Sequence, residues 1–146
     1  MWEKTENDIV KIKRATGTSD LMIALKYHIA VCQHYMVAFQ TFMEMLGIEN
    51  KNVYNVKGTH AWNMVKLDGD WYMIDVGHDG PNGYLMYKNF LFNSSDPYVD
   101  WGDLHTYDTS KYPVVNGTKY TNYVDRKLVI KIHDVYENFD LAAEFR

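Results

Sequence analysis

The chain has 146 residues, of which 47% are hydrophobic, 23% charged and 15% aromatic. This length and composition predict a single globular domain over residues 1–146 and exclude a chain dominated by disorder. The formal net charge is −4 with no stripe of Lys and Arg, which argues against nucleic acid or an anionic membrane as the main partner. No apolar run approaches the ~18 residues that span a bilayer, and the first residues do not resemble a signal peptide. We therefore expect no membrane insertion, while the compartment and the oligomeric state stay open.

Two short helices are predicted at the start of the chain. The pattern from Thr5 to Ala15 predicts a helix that ends near Gly17. Thr18-Ser19-Asp20 then supplies N-cap candidates for a second helix, from Leu21 to about Lys26.

The clearest helical pattern runs from Cys32 to Leu46, and Gly47 is well placed as its C-terminal cap. Apolar residues recur there at three- and four-residue spacing, which predicts one inward face. The residues assigned to that face are Tyr35, Ala38, Phe39, Phe42, Met45 and Leu46. The pattern leaves open whether this helix continues back into the second one, because residues 27–31 contain no breaker.

The stretch HAWNMVKLDGDWYMID, residues 60–75, predicts a β-hairpin. Asp68-Gly69 lies between two runs of aromatic and branched residues, and a type I′ turn needs positive φ at both of its central residues. This turn places His60 and Asp75 on one face of the sheet as diagonal neighbours, with Cβ atoms roughly 7 Å apart. A three-residue loop would put the two side chains on opposite faces, so the hairpin alone leaves their contact undecided.

The second half of the chain predicts strands and loops. Val53–Val56 and Tyr84–Phe92 are predicted strands, and residues 93–126 are expected to be mostly loops. Lys127–Ile132 predicts a half-exposed strand and Tyr136–Phe145 a terminal helix. Helices followed by an antiparallel sheet define an α+β fold.

Cys32 is the only cysteine of the chain. A lone cysteine cannot form an intrachain disulfide, so it is an inert core residue, a metal ligand or a nucleophile. A metal site would draw on His28, four residues before Cys32, with His34 and His60 to complete a tetrahedral set. No paired Cys-x-x-Cys or His-x-x-x-His motif supports such a site, so we predict no metal and no other cofactor.

Two segments resemble the transglutaminase-like branch of the papain-type cysteine enzymes. VCQHYMVAFQTFMEMLGI, residues 31–48, resembles the family's segment around its nucleophile, and HAWNMVKLDGDWYMIDV, residues 60–76, resembles its His-Ala-Trp-Asn to Asp segment. The resemblance covers about residues 20–110 and, in a weaker form, includes His105. It implies N-terminal helices with the nucleophile-bearing helix packed on an antiparallel β-sheet, the papain-like cysteine proteinase fold.

The resemblance also implies roles for three residues. Cys32 is the implied nucleophile, activated by a helix N-terminus and by His60, while Asp75 orients the ring of His60. The implied reaction is attack on a carboxamide or peptide carbonyl, followed by transfer of the acyl group from a thioester to an amine or to water. The expected partner is a protein or peptide substrate. A cysteine peptidase or amidase uses the same residues and is the runner-up enzyme hypothesis.

Departures from the family pattern suggest a further alternative. The family usually has Gly where this chain has Ala30 and His34, and an imidazole at position 34 is expected to narrow the cleft, alter its specificity or block it. After Asp75 the family often reads Thr-Trp-Asp, whereas this chain has Val76-Gly77-His78. His34 favours the alternative of an inactive domain that binds a peptide or glycan, whereas the intact Cys32, His60 and Asp75 argue against it. The candidates for the oxyanion site or the cleft are Gln33, His34, Trp62 and His78. His78, His105 and His133 are expected to be solvated or paired, with His105 a further candidate for the cleft.

Overall fold

A computed structural model describes residues 2–17, 19–27, 29–78, 89–96, 102 and 104–121. Three α-helices come first in the described chain, and a three-stranded antiparallel sheet in the order β1-β2-β3 follows them. The elements are α1 (Trp2–Thr16), α2 (Asp20–Tyr27), α3 (Cys32–Met45), β1 (Asn50–Tyr54), β2 (Ala61–Leu67), β3 (Asp70–Ile74) and a 3₁₀ turn at Thr109–Lys111. This order confirms the predicted α+β fold.

Helices α1 and α2 are separated by a predicted break. Gly17 adopts φ 64°, and its N–H donates to the carbonyl of Lys13 at 2.9 Å. Ser19 caps α2, because its Oγ accepts the N–H of Met22 at 3.4 Å. At positive φ glycine is less strained than any other residue, so the end of α1 is set locally.

Helix α3 begins at Cys32 and does not continue back into α2, which ends at Tyr27. Val31 is the extended N-cap residue, with φ −116° and ψ 176°. At the other end Gly47 has φ 69° and donates its N–H to the carbonyl of Glu44, which confirms the predicted cap. The sequence left open whether these two helices are continuous. They are separate, and Cys32 lies in the first turn of α3.

The buried face of α3 differs from the predicted one. Met36 is 2% exposed, and Phe39 and Met43 pack against the core. The apolar side chains of α3 and its cap that are exposed by 42–77% are Tyr35, Phe42, Met45 and Leu46. Apolar residues occupy more than one side of this helix, so their spacing fits two adjacent faces. On the side of α3 that faces the sheet, Oε1 of Gln40 accepts a hydrogen bond from Nδ2 of Asn52 at 2.6 Å, and the carbonyl of Met36 accepts one from Nδ2 of Asn63 at 3.1 Å.

The β2–β3 hairpin has the predicted turn and register. Asp68 and Gly69 have φ of 51° and 92°, as a type I′ turn requires, and Leu67 pairs with Asp70. The pairing continues in this register to Asn63↔Ile74. The strand before the hairpin pairs antiparallel with β2 and covers Asn50–Tyr54, whereas the prediction began it at Val53 and extended it to Val56.

Both faces of the sheet are covered. One face and the loops over it form a buried cluster of Val53, Trp62, Met64, Trp71, Met73, Phe92 and Val115. The other face carries Val65, Tyr72, Ile74 and Leu91, against which Phe39 and Met43 of α3 pack. Because side chains alternate along a strand, α3 covers the face opposite to that of Trp62.

Several predicted elements lie outside the described residues. These are the strand at 127–132 and the helix at 136–145. Of the predicted strand at 84–92 only residues 89–92 are described, and there Phe92 forms a single antiparallel bridge with Met73. Among the described residues, no helix has both the length and the apolar character needed to cross a bilayer.

Candidate active site

The backbone of His60 is fixed by the loop that precedes β2. Asn55 is buried, and its Oδ1 accepts the N–H of Thr59 at 2.8 Å and that of His60 at 3.1 Å. The N–H of Asn55 in turn donates to the carbonyl of His60 at 3.0 Å. His60 is thus held on both sides of its Cα, and its ring projects in a defined direction.

The imidazole of His60 meets the carboxylate of Asp75. Nε2 of His60 lies 2.6 Å from Oδ2 of Asp75, and the two residues are only 5% and 1% exposed. The other oxygen, Oδ1, accepts the N–H of His78 at 3.1 Å. The hairpin therefore brings His60 and Asp75 together on one face, as the two-residue turn predicted.

A second imidazole, that of His105, contacts the same carboxylate oxygen. Nε2 of His105 lies 2.9 Å from Oδ2 of Asp75, and the residue is 1% exposed. This contact is not predictable from the sequence, because a loop carries His105 and no periodic pattern relates it to the hairpin. The one available signal was the capacity of a carboxylate, which accepts more hydrogen bonds than a single imidazole can donate.

Hydrogen bonds oppose the effect of burial on the pKa of Asp75. Burial alone raises this pKa, but the donors His105 and His60 outweigh it and lower the pKa to about 2. Burial likewise lowers the pKa of His60, whereas its hydrogen bonds with Asp75 and Cys32, and their charges, raise it to about 9. The pair is therefore a carboxylate and an imidazolium near neutral pH.

Cys32 lies in the first turn of α3 and is half-buried. Burial raises the pKa of its thiol, but hydrogen bonds from His60 and from the backbone N–H of Ala61, together with the charge on His60, outweigh burial and lower the pKa. The positive end of the helix dipole favours a thiolate at the same place. This arrangement stabilises a thiolate–imidazolium pair.

A pocket of about 360 Å³ opens beside the thiol and the imidazole. Its described lining consists of Val31, Cys32, Gln33, Tyr54, Gly58, Thr59, His60 and Ala61. Gln33, a predicted cleft residue, is exposed and belongs to this lining. Apart from the Cys32–His60 pair, these lining side chains are neutral.

His34 faces away from the pocket, contrary to the expectation that it narrows the cleft. Its side chain is buried, Nδ1 accepts the N–H of Val31 at 3.4 Å, and Nε2 lies 3.7 Å from Oδ1 of Asp20. Burial lowers the pKa of His34, the charge of Asp20 raises it and that of Lys13 lowers it, and the net shift is downward. Side chains in the first turn of a helix point back over the N-cap, which accounts for the direction of the ring.

Trp62 and His78 surround His60 but are not among the described residues that line the pocket. Trp62 is 1% exposed and stacks on His60, with ring centroids 5.7 Å apart and planes 20° apart. His78 is exposed and meets His60 edge to face, at a centroid distance of 5.1 Å. Trp62 therefore supports the imidazole from the core side.

Of the metal set considered from the sequence, His34 points toward Asp20 of α2 and away from Cys32 and His60, and His28 lies outside the described residues. His60, Asp75 and His78 do offer ligand atoms within 4.8 Å of one another. The 2.6 Å contact of His60 with Asp75 is a hydrogen-bond distance, however. Ligands around a zinc ion with bonds near 2 Å stand roughly 3 Å or more apart. This contact therefore fits a shared proton better than a shared metal.

A family model of the transglutaminase-like superfamily matches residues 2–76, just over half of the chain. The chain therefore belongs to the transglutaminase-like superfamily, and its three helices and antiparallel sheet form the α+β core that the resemblance implied. The match includes Cys32, His60 and Asp75 and ends before His78 and His105. A search of curated proteins found no matching sequence.

Proposed function

We propose that this protein is a cysteine-dependent acyltransferase that forms a thioester between Cys32 and a carboxamide of a protein or peptide. The observation that carries the proposal is the position of His60, which lies 2.6 Å from the carboxylate of Asp75, lines the same pocket as Cys32 and lowers the pKa of its thiol. Nucleophile, base and orienting acid in contact are the arrangement that cysteine acyl transfer requires.

In the first step the Cys32 thiolate attacks the carbonyl carbon of the substrate amide. Asp75 occupies Nε2 of His60, which leaves Nδ1 to serve the sulfur and the leaving group. When the tetrahedral intermediate collapses, the carbon–nitrogen bond breaks and the Nδ1 proton passes to the departing nitrogen. Ammonia or an amine leaves, and the acyl group remains on sulfur as a thioester.

In the second step His60 acts as the base. Its neutral Nδ1 takes a proton from an incoming amine or from water, which attacks the thioester carbon. The carbon–sulfur bond then breaks, releasing a new amide or a carboxylic acid and restoring the thiolate beside the imidazolium. Transfer and hydrolysis use the same residues, so amidase or peptidase activity is the second outcome of the same mechanism.

The proposed oxyanion site lies at the start of α3. The N–H groups in the first turn of a helix have no acceptor within the helix, and Cys32 contributes the first of them. We assign the backbone N–H of Cys32 as one donor and the side chain of Gln33, on the pocket wall, as the second. Such donors stabilise the charge that develops on the carbonyl oxygen.

The pocket suits a neutral acyl donor. Apart from the Cys32–His60 pair, the described side chains that line the pocket carry no carboxylate and no ammonium group with which a charged substrate group could pair. A primary carboxamide or a backbone amide meets this condition. His34, on which the alternative of an inactive binding domain rested, does not belong to this lining.

The test is mass spectrometry of the protein with a glutamine-containing peptide and a primary amine. We expect a thioester adduct on the wild-type protein and a peptide that has exchanged ammonia for the amine. A peptide in which the amide has become an acid would identify hydrolysis. Cys32→Ala is the control and forms neither product. Unchanged spectra for both proteins would contradict the proposal and favour the inactive domain.

A further inference from the structure

We propose that His105 is a positioning residue of this site, which holds the carboxylate of Asp75 ionised and in one orientation so that Asp75 can orient His60. This inference rests on the proposed function of Cys32 and His60. It concerns a residue outside the stretch that the family model matches, residues 2–76.

The hydrogen bonds around Asp75 determine where the ring protons lie. Oδ2 is shared by Nε2 of His60 at 2.6 Å and Nε2 of His105 at 2.9 Å. An ionised carboxylate only accepts hydrogen bonds, so both Nε2 atoms carry a hydrogen. His60 therefore keeps its proton on Nε2 throughout the reaction, and Nδ1 is the atom that exchanges protons.

The carboxylate is held at both oxygens. Oδ1 accepts the N–H of His78 at 3.1 Å, while Oδ2 receives the two imidazoles. Rotation of the carboxylate would break contacts at both ends. Without His105, one of the two donors that fix Oδ2 is lost, and the orientation of His60 depends on a less constrained acid.

His105 is itself held firmly enough to fix a partner. Its ring lies among other rings, with centroids 5.1 Å from Trp62, 5.6 Å from Phe92 and 5.4 Å from His60. The carbonyl of the next residue, Thr106, accepts the N–H of Val56 at 2.9 Å, which ties the loop to the segment that follows β1. An apolar side chain would fill this buried position without the free-energy cost of burying a polar group. We therefore expect that the imidazole is needed here for the hydrogen bonds it makes.

The experiment compares two variants at position 105 with one variant of a buried residue that contacts the same ring. His105→Phe keeps a ring and removes the donor, and His105→Gln keeps an N–H donor. Phe92→Leu is the packing control, since it disturbs the surroundings of the same ring and leaves both hydrogen bonds on Asp75 in place. His105→Leu replaces His105→Phe should the latter not fold.

Two readouts separate positioning from stability. The first is the rate at which iodoacetamide alkylates Cys32, and the second is the titration of the Asp75 carboxylate carbon by NMR. We expect His105→Phe to slow alkylation about tenfold, the rate equivalent of one charge-assisted hydrogen bond. We also expect it to raise the pKa of Asp75, because a donor to the charged form is lost. His105→Gln should restore most of both values, and Phe92→Leu should change thermal stability alone.

The inference is overturned if His105→Phe alkylates at the wild-type rate with an unchanged Asp75 titration. It is also overturned if alkylation of Cys32 slows equally in His105→Gln and His105→Phe and in proportion to their loss of thermal stability. That result would indicate a purely structural role for His105. Failure of the proposed function looks different: the wild-type thiol itself would react no faster than a free thiol, while the Asp75 titration would still report on His105.

Discussion

Nε2 of His60 and Oδ2 of Asp75 lie 2.6 Å apart although fifteen residues separate them in the chain. The turn at Asp68-Gly69 sets this distance, because its register places the two side chains as diagonal neighbours on one face. A short local signal thus positions two of the three groups that the proposed chemistry needs. The third, Cys32, arrives at the start of β2 on a helix that covers the other face.

Asp75→Asn should slow the reaction of Cys32 with iodoacetamide by about a hundredfold at about pH 6. The neutral amide cannot stabilise the imidazolium of His60, so the pKa of Cys32 rises toward its usual value. The deficit should shrink in alkaline buffer, where a thiolate forms without help. Asp70→Asn, an exposed acid on the same hairpin, is the matched control. Equal loss in both variants, or none in Asp75→Asn, would contradict the assigned role.

The stability of the fold should depend on pH through His60 and Asp75. The pKa of His60 is raised from 6.5 to about 9, so its contribution is complete below 6.5 and is lost as the pH rises toward 9. The pKa of Asp75 is lowered from 3.8 to about 2, so its contribution is complete above 3.8 and is lost as the pH falls toward 2. Thermal unfolding across this range should show a maximum between these limits. His60→Phe should flatten the alkaline decline, and an unchanged decline would refute the assignment.

Gly117→Ala should destabilise the protein by about 1–3 kcal/mol, the usual cost of overpacking. A Cβ at Gly117 would fall on the buried ring of Tyr72, 2.6 Å from Cε2. The backbone is restrained from moving away, since the N–H of Gly117 donates to Trp71 at 3.2 Å and its carbonyl accepts from Asn93 at 3.0 Å. Denaturant unfolding measures the change. The exposed neighbour Asn116→Ala serves as control, and equal stability of the two variants would rule out the close contact.

His34→Gly, which restores the family's usual residue, should weaken the fold without opening the pocket. The substitution removes the acceptor of the Val31 N–H, leaves a cavity and places glycine in a helix, for a loss of about 2 kcal/mol or more. The KM for a peptide substrate should stay within about twofold, because His34 is not among the described residues that line the pocket. A twofold change corresponds to less than 1 kcal/mol of binding free energy. Gln33→Ala, in the pocket wall, should lower kcat/KM more. A severalfold fall in KM for His34→Gly would show that the imidazole does restrict the cleft.

The hairpin and the order of the elements were predictable because their signals are local. Asp68-Gly69 fixes a turn by its own φ requirements, and Gly17 and Gly47 end helices in the same way. The face of α3 was not predictable, since the helix is apolar on several sides and a partner strand makes the selection. Asn52 on this strand hydrogen-bonds Gln40 across the interface.

Two histidines show why the rest of the site could not be predicted from the sequence. His105 reaches Asp75 from a loop thirty residues further along the chain. A loop has no periodic sequence pattern from which such a contact could be predicted. His34 follows the nucleophile by two residues but turns toward Asp20, because its place in the first turn directs it over the helix N-terminus. Proximity in sequence is therefore a weak guide to membership of the pocket.

In the proposed mechanism, His60 and the helix N-terminus keep Cys32 as a reactive thiolate. The most direct measurement is the rate of Cys32 alkylation by iodoacetamide at about pH 6, where a free thiol is almost entirely protonated. We predict that the wild-type protein reacts much faster than a free thiol and that His60→Ala loses the difference. Slow reaction in the wild type, equal to that of His60→Ala, would contradict the claim.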